Sequence, residues 1–218
     1  MSIQNKKTIE AYQTNANRYL ENNHKIDKEL WEESQKSVQH LMKELLSNIP
    51  KDGRILEIGS ADGEIASYIK SLGYDITASD IADDFIKEIT KKGLEPIKFN
   101  LLEDEINEKY NCIICWKVFV HFTDEDVLKC LKKIYEALED NGIVVFNLIS
   151  GDQKDNKEEW IDFPGDYSIG IDRYFRYFLK EDMDAIVNKT NFNIFEYKEE
   201  MGIEKIKWLI YVLKKGDK

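Results

Sequence analysis

The sequence predicts an α/β domain: a doubly wound seven-stranded sheet, mostly parallel with an antiparallel edge strand, carrying helices on both faces. Three observations predict it. Between Arg54 and Leu148, short apolar runs alternate with helical patterns, which is the rhythm of a parallel sheet joined by crossover helices. These runs are almost continuously apolar, as strands covered on both faces must be. Two final runs, Phe192 to Tyr197 and Ile206 to Leu213, are placed to pair antiparallel at the sheet edge.

Residues 1–50 read as an N-terminal helical cover. Thr8 to Glu21 carries Ile9, Tyr12, Ala16, Tyr19 and Leu20, and Glu29 to Ser47 carries Leu30, Trp31, Val38, Leu41, Met42, Leu45 and Leu46 near helical spacing. Pro50-Lys51-Asp52-Gly53 then breaks the pattern. The main domain, residues 51–218, follows within one compact unit. Its strands are Arg54–Ile58, Asp75–Ser79, Glu95–Phe99, Asn111–Trp116 and Ile143–Leu148. The helices between them are Gly63–Ser71, Ala82–Lys92 and Asp124–Leu138, the last with Thr123 as N-cap. Residues 151–171 interrupt the rhythm with a polar stretch holding Trp160, Phe163 and Pro164, which reads as an insertion or lid. Lys180 to Lys189 is the final helix.

Composition narrows the function. The chain has 218 residues and a formal net charge of −11, so a large nucleic-acid footprint is not expected. No apolar run approaches the ~20 residues of a membrane span. The polar first ten residues lack a signal-peptide core, which points to a cytoplasmic protein with reduced thiols. Cys112 and Cys115 have C-x-x-C spacing but lie in a strand, where alternation sends them to opposite faces. No partner pair at ligand spacing accompanies them, so no metal site is expected.

The most informative stretch is Ile55-Leu56-Glu57-Ile58-Gly59-Ser60-Ala61-Asp62-Gly63: a strand, a small-residue turn and a helix start. Ligands bind outside the carboxyl ends of such strands, where strand order switches. Glycine lets the backbone approach a ligand closely, and Glu57 adds a carboxylate suited to an ammonium group or to ribose hydroxyls. A dinucleotide fingerprint needs G-x-G-x-x-G. Starting from Gly59, its second and third glycines are replaced by Ala61 and Glu64, and an acid at the helix start repels pyrophosphate. A nicotinamide-dependent oxidoreductase is therefore the weaker reading.

The pattern E-x-G-x-A-x-G, formed by Glu57, Gly59, Ala61 and Gly63, resembles the first motif of class I S-adenosylmethionine-dependent methyltransferases, with alanine where that family usually has a third glycine. The resemblance runs from about Tyr12 to Leu213. It implies a Rossmann-like fold, S-adenosyl-L-methionine as cofactor, and a cofactor site built from Glu57, Gly59, Ser60, Ala61 and Gly63 in the first turn. Asp80 would meet the two ribose hydroxyls and Ile81 the adenine. Asn100, standing where the family often has Asp, would meet the adenine amino group, and Leu101 beside it would belong to the cofactor site. Trp116 would lie beside the methionine part, and Tyr12 and Tyr19 would cover the cofactor. For Asp80 the alternative is a cap on the helix starting near Ala82. For the tyrosines it is ordinary helix packing.

Methyl transfer from a sulfonium needs an aligned acceptor and excluded water, and a base where the acceptor carries a proton. His121 is the candidate base, as the family resemblance also suggests. A core or helix-flanking histidine is the equal alternative; His24 and His40 read as structural or exposed. Lys117, His121, Arg173, Tyr174 and Arg176 are the candidate substrate contacts, the arginines suiting an anionic group. The whole reads as an enzyme methylating an oxygen or nitrogen of a small metabolite, such as a sugar or a nucleotide-linked intermediate, working as a monomer or homodimer. A cofactor-binding partner subunit without catalysis is a further alternative.

Overall fold

The computed structural model describes residues 1–23, 28–152, 154–162, 168–202 and 205–216. His24, the side chains of Leu30 and Trp31, and residues 153 and 163–167 of the expected lid lie outside the described residues. The chain opens with α1 (Ile3–Asn23) and α2 (Lys28–Leu46). There follow β1 (Arg54–Ile58), α3 (Glu64–Ser71), β2 (Asp75–Asp80), α4 (Asp83–Lys91), β3 (Ile97–Lys98) and β4 (Tyr110–Cys115). A short 3-10 turn, Phe119–His121, leads into α5 (Asp124–Ala137) and β5 (Leu138–Ser150). The remainder is β6 (Glu158–Ile161), β7 (Arg173–Phe178), α6 (Lys180–Val187), β8 (Phe192–Met201) and β9 (Lys207–Lys215).

Strands β3, β2, β1, β4 and β5 lie side by side in that order and run parallel. On its far side, β5 pairs antiparallel with β9 through Ile143–Ile149, and β9 pairs antiparallel with β8. These are the seven strands the sequence predicts, with the reversed edge where it was expected. Two more join them. At the tip of β5, Ile149 and Ser150 pair parallel with Tyr177 and Phe178 of β7, and β7 pairs antiparallel with β6. The segment read as a lid is thus partly a hairpin, its register set by Glu158 opposite Arg176 and Ile161 opposite Arg173.

Period-two alternation divides the core between two layers. One face of the sheet, with Ile113, Cys115, Val144, Phe146 and Leu148, packs on α5 and α6 through Val127, Leu131, Ile134, Met183 and Ile186. The other face, with Ile55, Cys112, Ile114, Val145 and Val212, packs on α2 through Leu41, Met42, Leu45 and Leu46, and on α3 through Ile69. Each such side chain contributes roughly 1.5–3 kcal/mol when buried. Cys112 and Cys115 fall on opposite faces and Cys130 sits within α5. All three are buried free thiols, Cys112 pushed up to about 12 by burial.

Helix α1 does something else. It kinks at Asn15 (φ −127°, ψ 17°), whose amide donates to the Ala11 carbonyl at 3.1 Å. Ala16, Tyr12, Tyr19 and Leu20 pack against Ala82 and Phe85 of α4, so the helix lies over the carboxyl ends of β1 and β2 rather than on a sheet face.

Candidate active site

Strand order reverses between β1 and β4, since the chain builds outward from β1 to β2 and β3, then restarts at β4. A cavity of about 440 Å³ opens there, where doubly wound sheets bind ligands. Its wall includes Glu57, Gly59, Ser60, Ala61, Asp80, Ile81, Asn100, Leu101, Trp116, Lys117, His121 and Arg173, with Tyr12 and Tyr19 from α1.

The turn after β1 is held by backbone geometry. Gly59 (φ 74°) and Gly63 (φ 76°) are left-handed, and a Cβ on Gly59 would come within 2.7 Å of the Val118 side chain. The Ser60 N–H donates to the Ser79 carbonyl at 2.9 Å and Gly63 N–H to the Ser60 carbonyl at 2.7 Å. Ala61 is also left-handed (φ 46°), a conformation that glycine adopts without steric penalty. Its N–H donates to Asp80 Oδ2 at 3.0 Å.

Asp80 faces the cavity and ties its own turn rather than capping α4, whose N-cap is Ala82 and carries no side-chain cap hydrogen bond. Its Oδ1 accepts the Ile81 and Ala82 N–H groups at 2.7 and 3.0 Å. A carboxylate has about four acceptor positions, so Oδ2 keeps one for a ligand. Burial raises the Asp80 pKa, against the lowering effect of the three N–H donors.

Glu57 is 2% exposed and its Oε2 has no hydrogen-bond partner. Burial pushes its pKa to about 7; Ser60 and the Ala66 N–H lower it, while the Asp62 and Asp80 carboxylates raise it. The unfolded value is near 4.5. A raised folded pKa stabilises fully below the unfolded value, and that contribution is lost as pH rises toward 7. Glu57→Gln is accordingly expected to stabilise the ligand-free protein at pH 8 by about 1–3 kcal/mol, and to change little at pH 4. Urea unfolding at the two pH values checks this; the same gain at both would reject it.

His121 ends the 3-10 turn and is 8% exposed. Its Nδ1 lies 2.8 Å from the Tyr174 carbonyl and its Nε2 2.9 Å from the Tyr12 hydroxyl. A carbonyl only accepts, so Nδ1 carries the proton and Nε2 accepts from Tyr12. Arg173 Nη1 donates to the same Tyr12 oxygen at 2.8 Å. Burial, then the Arg173 charge, push the His121 pKa down to about 3. The imidazole is neutral with both nitrogens engaged. Its Cε1 proton resonance should show no titration between pH 8 and 5; a midpoint near 6.5 in an NMR titration would contradict this arrangement.

Strand alternation separates the remaining candidates. Arg173 and Phe175 face the cavity. Tyr174 and Arg176, expected at the substrate, point away from it. Tyr174 donates its hydroxyl to Glu158 at 2.6 Å. Arg176 pairs with Asp124 at the start of α5 (2.9 Å) and Asp182 in α6 (3.3 Å), and donates to the Tyr177 carbonyl. One residue along a strand reverses the face, so a motif read as one patch is split across two. Asn100 serves its own turn: its side-chain oxygen accepts the Leu102 N–H at 3.1 Å and its amide donates to Glu103 at 3.2 Å. Lys117 takes a left-handed backbone (φ 59°), fixed by its N–H donating to Asn147 Oδ1 at 2.6 Å.

The cavity also takes in Asn5, Thr8, Phe85, Asn147, Phe175 and Trp208. One was legible: Asn147 is a lone polar residue inside the apolar run Ile143–Leu148. Asn5, whose amide donates to the His121 carbonyl at 2.8 Å, carried no such signal.

A family model described as a methyltransferase domain matches residues 30–197. The chain belongs to this family. The methyltransferase-domain match begins inside α2 and ends in β8, so it takes in the turn after β1, Asp80, His121 and Arg173. Among sequence relatives, a ubiquinone biosynthesis O-methyltransferase of Rickettsia canadensis is 28% identical over 102 residues, covering 44% of this chain and 42% of that one. The YqeM protein of Bacillus subtilis is 24% identical over 114 residues, covering 48% and 45%. The chain thus spans less than half the length of these two curated relatives. A SAM-dependent methyltransferase from Methanosarcina mazei superposes with a TM-score of 0.67 at 14% identity, over 80% of this chain and 97% of that one. The magnesium protoporphyrin IX methyltransferase of Synechocystis, solved with bound SAH, gives 0.65 at 14% identity over 87% and 86%. At these identities the likeness is one of fold. No helix among the described residues is long and apolar enough to cross a membrane.

Proposed function

We propose that this methyltransferase-domain protein binds S-adenosylmethionine at the β1–β4 crevice and transfers its methyl group to an oxygen or nitrogen of a small molecule. The observation that carries the reading is the orphaned carboxylate oxygen of Glu57, buried at the tip of β1 on the cavity wall. A buried carboxylate oxygen without a partner is costly unless a ligand completes it, and an ammonium-bearing cofactor is such a ligand.

Glu57 and the first turn would hold the amino-acid end of the cofactor, and Asp80 Oδ2 a ribose hydroxyl. Tyr12, Tyr19 and Phe85, with ring centroids 5.5–6.4 Å apart, would close over it from α1. When bound, the cofactor supplies an activated methyl on a positively charged sulfur. The protein's part is to exclude water with α1 and align the acceptor against Asn147, Ile149, Phe175 and Trp208. A sugar or nucleotide-linked acceptor is compatible with the polar groups on this wall. A nicotinamide reading is not favoured, because Ala61 and Glu64 replace fingerprint glycines. Calorimetric titration with S-adenosylhomocysteine and with NAD tests the proposal: micromolar binding of the first and none of the second is expected. Loss of the first result would remove the function.

A further inference from the structure

Ala61, in the turn after β1, and Lys117, in the turn after β4, hold a left-handed backbone without being glycine, and both lie on the cavity wall. A Cβ disfavours that conformation, so the surrounding fold must secure it. The two are secured alike. The Ala61 N–H donates to Asp80 Oδ2 at 3.0 Å, and the Lys117 N–H donates to Asn147 Oδ1 at 2.6 Å. In each case the acceptor stands on the strand beside the one that ends in the turn: Asp80 on β2 beside β1, Asn147 on β5 beside β4. Packing gives no reason for a polar residue at 147. Val145 and Ile149, on the same face of β5 by alternation, are apolar, and Ile210 of β9 stands opposite. Asn147 is 1% exposed, a setting in which an amide is costly unless its polar atoms are used. Lys117 is the middle residue of the turn Trp116–Val118, which lies on the cavity wall throughout. Val118 abuts the turn after β1: a Cβ built on Gly59 would fall 2.7 Å from its Cγ2. The Val118 carbonyl accepts the His121 N–H at 3.1 Å, opening the 3-10 turn. The backbone of Lys117 thus sets where Val118 meets the β1 turn and where the segment to His121 begins.

We infer that Asn147 is a positioning residue for the cofactor site: its side-chain oxygen holds the turn after β4 in the shape that presents Trp116 and Val118 to the cofactor, as Asp80 holds the turn after β1. The inference rests on the proposed methyl donor. Asn147 acts through the Lys117 backbone. Without the oxygen, the Lys117 N–H loses its partner and the residue relaxes toward the right-handed or extended regions open to it. Trp116 and Val118 then rotate relative to one another, and the cavity wall changes shape while both core layers stay packed. Glycine at 117 removes the need for the clamp, because it takes a positive φ without steric penalty. A β-branched residue there works against the clamp, because such side chains scarcely tolerate a positive φ.

The test titrates S-adenosylhomocysteine into four full-length proteins in a calorimeter: wild type, Asn147→Leu, Lys117→Gly and the double variant. Leucine keeps the bulk of asparagine and deletes the accepting oxygen. With lysine at 117, Asn147→Leu should weaken binding about tenfold, the worth of one hydrogen bond. With glycine at 117, the same change should cost at most about threefold. Comparison within each background cancels whatever the lysine side chain itself contributes. A residue needed only for packing would lower Tm in both backgrounds and leave the affinity of the folded protein unchanged. Equal weakening in both backgrounds, or wild-type affinity in Asn147→Leu, overturns the inference. Should Asn147→Leu not fold, Lys117→Val carries the test with Asn147 intact: it should weaken binding about tenfold, and wild-type affinity there overturns the inference. Wild-type protein without affinity for S-adenosylhomocysteine overturns the donor assignment and this inference with it, whereas the variant outcomes overturn this inference alone, so the two failures are distinct.

Discussion

Asp80→Ala is expected to weaken S-adenosylhomocysteine binding by about thirtyfold or more, corresponding to ~2 kcal/mol for one charge-assisted hydrogen bond to a ligand hydroxyl. The geometry says why the loss should exceed that of an ordinary surface acid. Asp80 is buried, and its carboxylate ties three N–H groups together: Ala61 from the first turn, and Ile81 and Ala82 from its own. Removing it both deletes a ligand contact and frees the turn whose left-handed residues Gly59 and Ala61 line the pocket. Asp80→Asn separates the two contributions. A single remaining oxygen can accept from Ile81 and Ala82, while the amide cannot accept from Ala61. Affinity should fall between wild type and alanine. Calorimetric titration reads both variants, and wild-type affinity in the alanine variant would remove Asp80 from the site.

Arg176→Met should lower stability by about 3 kcal/mol and leave S-adenosylhomocysteine affinity unchanged. The guanidinium is 5% exposed and clasps Asp182, itself 18% exposed, and the half-exposed Asp124. Breaking a buried pair by removing one partner typically costs 3–5 kcal/mol because the abandoned charge stays buried; the exposure of Asp124 places this case at the lower end. For a chain of this length, that corresponds to a fall in Tm of about 6–12 °C. The measurement distinguishes a clasp between β7, α5 and α6 from a substrate contact. Unchanged Tm with weakened ligand binding would restore the role the sequence suggested.

The contrast between Arg173 and Arg176 shows where sequence reading stops. Both stand in Arg173-Tyr174-Phe175-Arg176-Tyr177-Phe178, and composition alone made them one anionic-binding patch. As a strand, the segment sends Arg173 and Phe175 toward the cavity and Arg176 toward the helix starts of α5 and α6. The sequence gives no strong indication that this stretch is a strand, because its partner β6 lies inside a polar stretch read as an insertion. His121 is a second case. Its position after β4 was legible, but its neutral state depends on Tyr12, more than a hundred residues away, and on a Tyr174 carbonyl from a strand not foreseen.

By itself the sequence determined the parallel sheet, its reversed edge, the small-residue turn after β1 and the acids at two strand tips. Those features are written in local periodicity and in residue types with fixed conformational preferences, which act over a few neighbouring positions. Only the tertiary structure decided which acid is left without a partner, which arginine faces the cavity and which nitrogen of His121 holds the proton. Each of these depends on burial and on hydrogen bonds between segments far apart in the chain, and burial is a property of the packed molecule rather than of any stretch of it.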